Sequence, residues 1–261
     1  MRIRTQSVAL AAASLMLLCT TAAVAAEPAP AAMPAKTTKA LKVLTPDQVD
    51  PRRLLPAPPA DGSALQQADL AELQKVYRTR TPDRYAKAKW DDTHEDPTLF
   101  ASTLGPAFDL AKLPQTAKLL ELVDNEQSVS ANIAKRYFLR NRPWAIDTSI
   151  VACDYKPGAN PRSSYPSGHA TLSYSVGYVL AALIPEKSDA ILARAADYAY
   201  SREICGAHYH SDTEASHVLG TVVGLELLAS PKVAPMVEAA RAELQAAGLT
   251  GAAKMASAGG R

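Results

Sequence analysis

The sequence is short of net charge: 28 Lys and Arg stand against 26 Asp and Glu. That balance excludes a basic stripe for nucleic acid or for an anionic membrane surface. Beyond its first residues it also lacks an uninterrupted apolar run long enough to cross a bilayer. The most apolar stretch, Tyr174 to Ile184, is stopped by Pro185, so no stable membrane insertion is expected. There is no sustained alternation of apolar and polar residues and no internal repeat, which excludes a fold built on half-buried strands. Cysteine is scarce, at three residues.

What is present begins with a targeting segment. Arg2 and Arg4 precede an apolar stretch, Val8 to Leu18, and small residues follow at Ala23 to Ala26. This is the pattern of a secretory signal peptide over residues 1–25, cleaved near Ala25 or Ala26. Cys19 suggests a lipidated N-terminus, but Leu18 stands where such sites want a small residue, so cleavage without lipidation is expected. Removing Arg2 and Arg4 leaves 26 charges of each sign. The same cut leaves two cysteines, Cys153 and Cys205. In a periplasmic or secreted, oxidising location they are a candidate disulfide.

Residues 26–60 are rich in Ala and Pro and are predicted to be extended, with little core of their own. Residues 61–247 read as one all-α domain, a single-domain helical bundle, and 248–261 as a flexible tail. Apolar residues at three- and four-residue spacing predict helices over Ala64 to Arg78, Leu113 to Arg140, Ala170 to Leu183, Ser188 to Tyr200 and Val233 to Ala246. A further helix is predicted to open at Ser211 on a Ser211–Glu214 capping box and to run to Leu228.

Three segments gather groups that bind and transfer phosphate. In the first, Lys135 and Arg142 stand seven residues apart, two helical turns, so both can lie on one face before Pro143 ends the helix. In the second, Pro166-Ser167-Gly168-His169 precedes a long helix whose free N–H groups form an anion site. In the third, Arg202 is followed by Gly206, then by His208, and Asp212 falls in the first turn of the next helix. A carboxylate on one imidazole nitrogen fixes the tautomer and leaves the other nitrogen as a nucleophile. Each segment alone also has an ordinary structural reading: a solvated basic helix end, a capped turn, and a helix–loop–helix corner.

Taken together, Lys-x6-Arg-Pro, Pro-Ser-Gly-His and Ser-Arg-x5-His-x3-Asp fill every position of a known signature in order. The chain resembles the bacterial class A non-specific acid phosphatases of the type-2 phosphatidic acid phosphatase and vanadium haloperoxidase superfamily. The likeness runs from about Leu54 to about Leu244 and includes Leu54 to Pro59 and Ile204-Cys205-Gly206. It implies an all-α fold that acts on small phosphate monoesters with no metal and no cofactor. It implies phosphate held by Lys135, Arg142, Ser167, Gly168 and Arg202, His208 as nucleophile, Asp212 as its partner and His169 as general acid. It further implies homo-oligomers and phosphate transfer to alcohols. Phosphoryl transfer needs positioning and charge stabilisation, which three cations can supply.

Departures from the family pattern are Ala170, Tyr209-His210, Asp124 where relatives place a longer acid in the pocket, and Thr93 to Asp96 in place of a serine pair. Asp91, Asp92, His94 and Glu95 read as a polar surface loop rather than a metal site. Two rival functions share the pocket chemistry: a lipid phosphatase, and a vanadate-dependent haloperoxidase, for which the chain is short.

Overall fold

The computed structural model describes residues 39–251. The signal peptide, the start of the Ala/Pro-rich segment and most of the tail lie outside them. Among the described residues there are α-helices and 3-10 turns and no strand, so the fold is all-α. The helices are α1 (Pro51–Leu54), α2 (Ala64–Thr79), α3 (Pro82–Thr93), α4 (Ala101–Leu104), α5 (Pro114–Phe138), α6 (Pro143–Ile146), α7 (Gly168–Leu183), α8 (Ser188–Ile204), α9 (His210–Ala229) and α10 (Ala234–Ala246).

Helix α7 is the axis of the bundle. Ala170, Leu172, Val176, Val179, Leu180 and Leu183 are all buried, and α5, α8 and α9 pack around it. Small residues let the neighbours approach closely. A Cβ on Gly220 of α9 would sit 2.8 Å from the Thr171 carbonyl oxygen and 2.8 Å from Tyr174 Cβ. One turn on, a Cβ on Gly224 would lie 3.2 Å from Tyr178 Cβ. On another face of α7, Gly177 makes room for the Phe100 ring and for Ala195 of α8.

Local chemistry starts and stops these elements. Ser63 caps α2 by accepting the Gln66 N–H, and Ser167 caps α7 by accepting the Ala170 N–H. Helix α3 was not expected, because few apolar residues mark a face. Its start is nonetheless legible: Thr81 caps it, with Pro82 in the first turn. The expected Ser211–Glu214 capping box does not form. Helix α9 begins at His210 and has Asp212 as its third residue, accepting the Tyr209 N–H at 3.0 Å. Nor does Ser188 cap α8, since the cap position falls on Lys187.

The segment before residue 60 is less bare than expected. Leu44, Val49 and Leu55 are buried in the main core. The buried Glu126 of α5 accepts the backbone N–H groups of Lys42 (2.6 Å) and Leu44 (3.0 Å), which fastens this segment down. Cys153 and Cys205 form a disulfide 52 residues apart in sequence. Closing a loop of that size stabilises a fold by roughly 4 kcal/mol on the chain-entropy picture.

The glycine seam makes the first prediction. Gly220→Ala gains about 1 kcal/mol of helix propensity. It also drives a methyl group into a backbone oxygen that cannot move aside, and overpacking of this kind costs about 1–3 kcal/mol. Overpacking wins, so the variant should unfold at lower urea concentration than the native chain, as measured by circular dichroism.

Candidate active site

Lys135, Arg142, Ser167, Gly168, His169, Arg202, His208 and Asp212 come together from α5, α7, α8, α9 and the segments beside them. His208 lies in the short loop between α8 and α9. Gly206 ends α8 with φ +70°, and a Cβ there would also strike Ile150 at 2.7 Å. The Cys153–Cys205 disulfide and a Cys153 N–H to Cys205 carbonyl bond of 3.1 Å anchor the same corner.

The His208 ring is buried and its two nitrogens are distinguished by their partners. Nε2 faces Arg142 Nη1 at 2.9 Å, and Nδ1 faces Asp212 Oδ2 at 3.3 Å. A guanidinium can only donate. Nε2 therefore carries the lone pair, and Nδ1–H donates to Asp212. Burial, reinforced by the positive charges of Arg142, Lys135 and Arg202, holds the imidazole well below its ordinary pKa. The ring is neutral, with the lone pair of Nε2 turned towards the cations.

Asp212 is oriented by a set of donors. Arg140 Nη1 reaches Oδ1 at 2.7 Å, while Ser164 Oγ (2.6 Å) and the Tyr209 N–H (3.0 Å) reach Oδ2. Arg140 also donates to Asp69 of α2 at 2.6 Å and to Ser211 Oγ at 2.6 Å, and its guanidinium lies 4.1 Å over the Tyr209 ring. Ser211 Oγ donates to Asp69 in turn. Arg140, Asp69 and Ser164 were missed in the sequence. Arg140 was masked by its basic neighbours, and nothing in the spacing pointed to Asp69.

Lys135 and Arg142 do not share a helical face. Helix α5 ends at Phe138, Leu139 turns left-handed at φ 51°, and Arg142 lies in the extended stretch before α6. The two side chains still converge, on Ser163. Lys135 Nζ donates to its carbonyl at 2.7 Å and Arg142 Nε to its Oγ at 3.3 Å. Loss of hydration and the nearby Arg142 pull the Lys135 pKa down to about 7.

The chain's likeness to known proteins matches this arrangement. The PAP2 superfamily pattern fits residues 126–234, which span all of these signature residues. An acid phosphatase of Zymomonas mobilis subsp. mobilis is 34% identical over 203 residues, 76% of each chain. A non-specific acid phosphatase of Providencia stuartii is 30% identical over 206 residues, 75% of this chain and 81% of that one. This chain belongs to the acid phosphatases of the PAP2 superfamily. One from Salmonella typhi is 26% identical over 203 residues.

Within this acid phosphatase fold, Arg202 is fully buried between two carboxylates. Nη1 donates to Asp92 at 2.6 Å and Nη2 to Asp154 at 3.1 Å, while its buried Nε has no partner in the protein. Neither carboxylate was singled out as a site residue. Asp91 and Asp92 belong to the last turn of α3, not to a loop, and Asp91 is buried against Arg194 at 2.5 Å. His169 sets Nε2 3.1 Å from the Asp92 carbonyl oxygen and Nδ1 3.2 Å from Glu95 Oε1. Burial and the charge of Arg202 hold it well below the usual histidine range. Asp124 pairs with Lys39 at 2.9 Å and accepts from Gln127, and its charge reaches Glu95. The other histidines stand apart: His94 stacks on Trp90, His217 on Tyr174, and His210 faces Glu203 at 3.2 Å.

The Arg140 cluster can be tested directly. Arg140→Met would leave Asp69 and Asp212 without the cation between them. Breaking a buried pair from one side costs about 3–5 kcal/mol. A loss of that size is expected in urea unfolding, with kcat falling as well. Arg140→Lys should recover only part of both, because one ammonium cannot fork between two carboxylates.

Proposed function

We propose that this chain hydrolyses small phosphate monoesters through a phosphohistidine on His208 Nε2, after export by the signal at residues 1–25. The observation that carries the reading is the state of His208: a neutral ring, its Nδ1–H turned to Asp212, and its Nε2 lone pair accepting from Arg142. No single helix among the described residues is long and apolar enough to cross a membrane, which supports an enzyme working on dissolved esters. Resemblance to the class A enzymes adds homo-oligomeric assembly to this reading.

The steps follow from the groups present. The ester phosphoryl group enters between Nε2 and the cations, displacing the Arg142 contact. Arg142, Lys135, the free Nε of Arg202 and the N–H groups opening α7 neutralise its equatorial oxygens. Nε2 forms a bond to phosphorus as the bond to the ester oxygen breaks. The negative charge of the bound ester favours uptake of a second proton by His169. This imidazolium gives that proton to the departing oxygen and returns to the neutral ring, and Asp212 stabilises the charge that grows on the His208 ring. Water then attacks the phosphorus, His169 takes a proton from it, the P–N bond breaks and phosphate leaves. Any hydroxyl that reaches the same position yields a new ester instead.

Two measurements test this. Acid hydrolyses the P–N bond of phosphohistidine, so the protein is quenched in alkali after brief exposure to a labelled ester. Label should appear on the native chain and be absent from His208→Ala, whose turnover should also vanish, and treatment with a chelator should leave the native rate unchanged. Activity abolished by the chelator and restored by a divalent ion would refute the mechanism. For His169, proton donation to the leaving group contributes about 10²–10⁴-fold. His169→Ala should therefore lose far more activity on alkyl phosphates than on nitrophenyl phosphate. Equal losses on the two esters would make His169 a binding group.

A further inference from the structure

The carboxylates around the phosphate cradle differ in what holds them. Asp92 and Asp154 are clamped by Arg202, and Asp212 by Arg140. Glu95 follows the end of α3 and is half exposed, with its Oε1 3.2 Å from His169 Nδ1. The same oxygen would lie 3.6 Å from a Cβ built on Gly168, the first residue of α7. The Glu95 carboxyl group thus stands at the helix N-terminus that would receive a phosphoryl oxygen, and on the ring of the proton donor.

We propose that Glu95 determines which charge state of a phosphate ester this site accepts. It competes with the ester dianion as a carboxylate, and yields the cradle as a neutral acid. The proposal rests on the phosphate cradle described above and extends it to substrate choice.

The proton count at His169 supports it. The Asp92 carbonyl can only accept, so Nε2 of the neutral ring carries the hydrogen and Nδ1 carries a lone pair. A lone pair facing a carboxylate oxygen at 3.2 Å is favourable only with a proton between them. With His169 held neutral, that proton belongs to Glu95. The surroundings agree. Loss of hydration raises the Glu95 pKa, Asp124 of α5 and Asp92 of α3 push it the same way, and Arg202 of α8 and Lys135 of α5 oppose them. Arg142, beyond α5, and Tyr198 of α8 also feel the Glu95 charge.

The sign follows from the raised pKa. Below it Glu95 is neutral, can donate a hydrogen bond, and leaves three cations unopposed for the phosphate. As pH rises through it the group becomes a carboxylate, attracts those cations itself and repels a dianion. Affinity for phosphate should therefore fall over that range, beyond any change owed to the ester's own ionisation.

The test compares the native chain with Glu95→Gln and Glu95→Ala, using one alkyl phosphate as substrate and inorganic phosphate as inhibitor at pH 5 and pH 7.5. The quantity read is the ratio of KM, and of the inhibition constant, between the two pH values, compared between the variants and the native chain, so that the ligand's own ionisation, common to all of them, cancels. A like charge at this range shifts an equilibrium by on the order of tenfold. Both ratios should shrink by about tenfold in both variants, and Glu95→Asp should keep most of the native ratio. Native ratios in both Glu95→Gln and Glu95→Ala overturn the proposal. Label trapped on His208 of the native chain, measured alongside, separates the two readings: unchanged ratios with normal trapping refute Glu95 alone, and absent trapping refutes the phosphohistidine.

Discussion

Lys135, Arg140, Arg142 and Arg202 are brought into a space largely closed to water, where like charges repel strongly and lose their hydration. Such a cluster cannot stand without counter-charge, and four distant parts of the chain answer that demand. Helix α2 brings Asp69, α3 brings Asp92, the long connection between α6 and α7 brings Asp154, and α9 brings Asp212. Two of these meet one guanidinium, Arg202, and two meet another, Arg140. The site is thus a small ionic lattice. Within it the Nε of Arg202 has no partner in the protein, and the His208 lone pair faces Arg142.

The same demand bears on the two histidines for which roles are proposed. His208 and His169 are neutral because they sit among fixed positive charges with little water. A nucleophile needs that state to attack. A general acid needs a proton that it can still part with. In the free protein His169 has a carbonyl oxygen on one nitrogen and a carboxyl group on the other, so the role proposed for it requires a further proton on the ring.

The parts of this arrangement that are close in sequence were legible and the distant parts were not. Pro166 to His169 and Arg202 to Asp212 encode a helix start and a helix–loop–helix corner, and those local rules place the residues directly. The buried stretch of α7 was legible from its apolar run. Asp69, Asp92 and Asp154 were not, since Arg140 meets Asp69 across 71 residues and Arg202 meets Asp92 across 110. No local pattern records such a pair. Helix α3 escaped notice for a related reason: its buried side includes Asp91, whose burial depends on Arg194 of a helix far along the chain. Lys135 and Arg142 were assigned a common helical face because their spacing fits two turns. The left-handed Leu139 breaks the helix between them, and their convergence depends instead on Ser163.

Gly220 and Gly224 place the backbone of α9 against that of α7. Helix α7 begins with Ser167, Gly168 and His169, and α9 carries Asp212 in its first turn. The spacing between the first turn of α7 and Asp212 on α9 is therefore set by main chain and Cβ atoms in contact, with no long side chain in between. Such a seam acts as a gauge block: it fixes a separation and does not depend on what is mounted around it. Changes at Thr93 to Asp96 on the rim can then leave that separation intact.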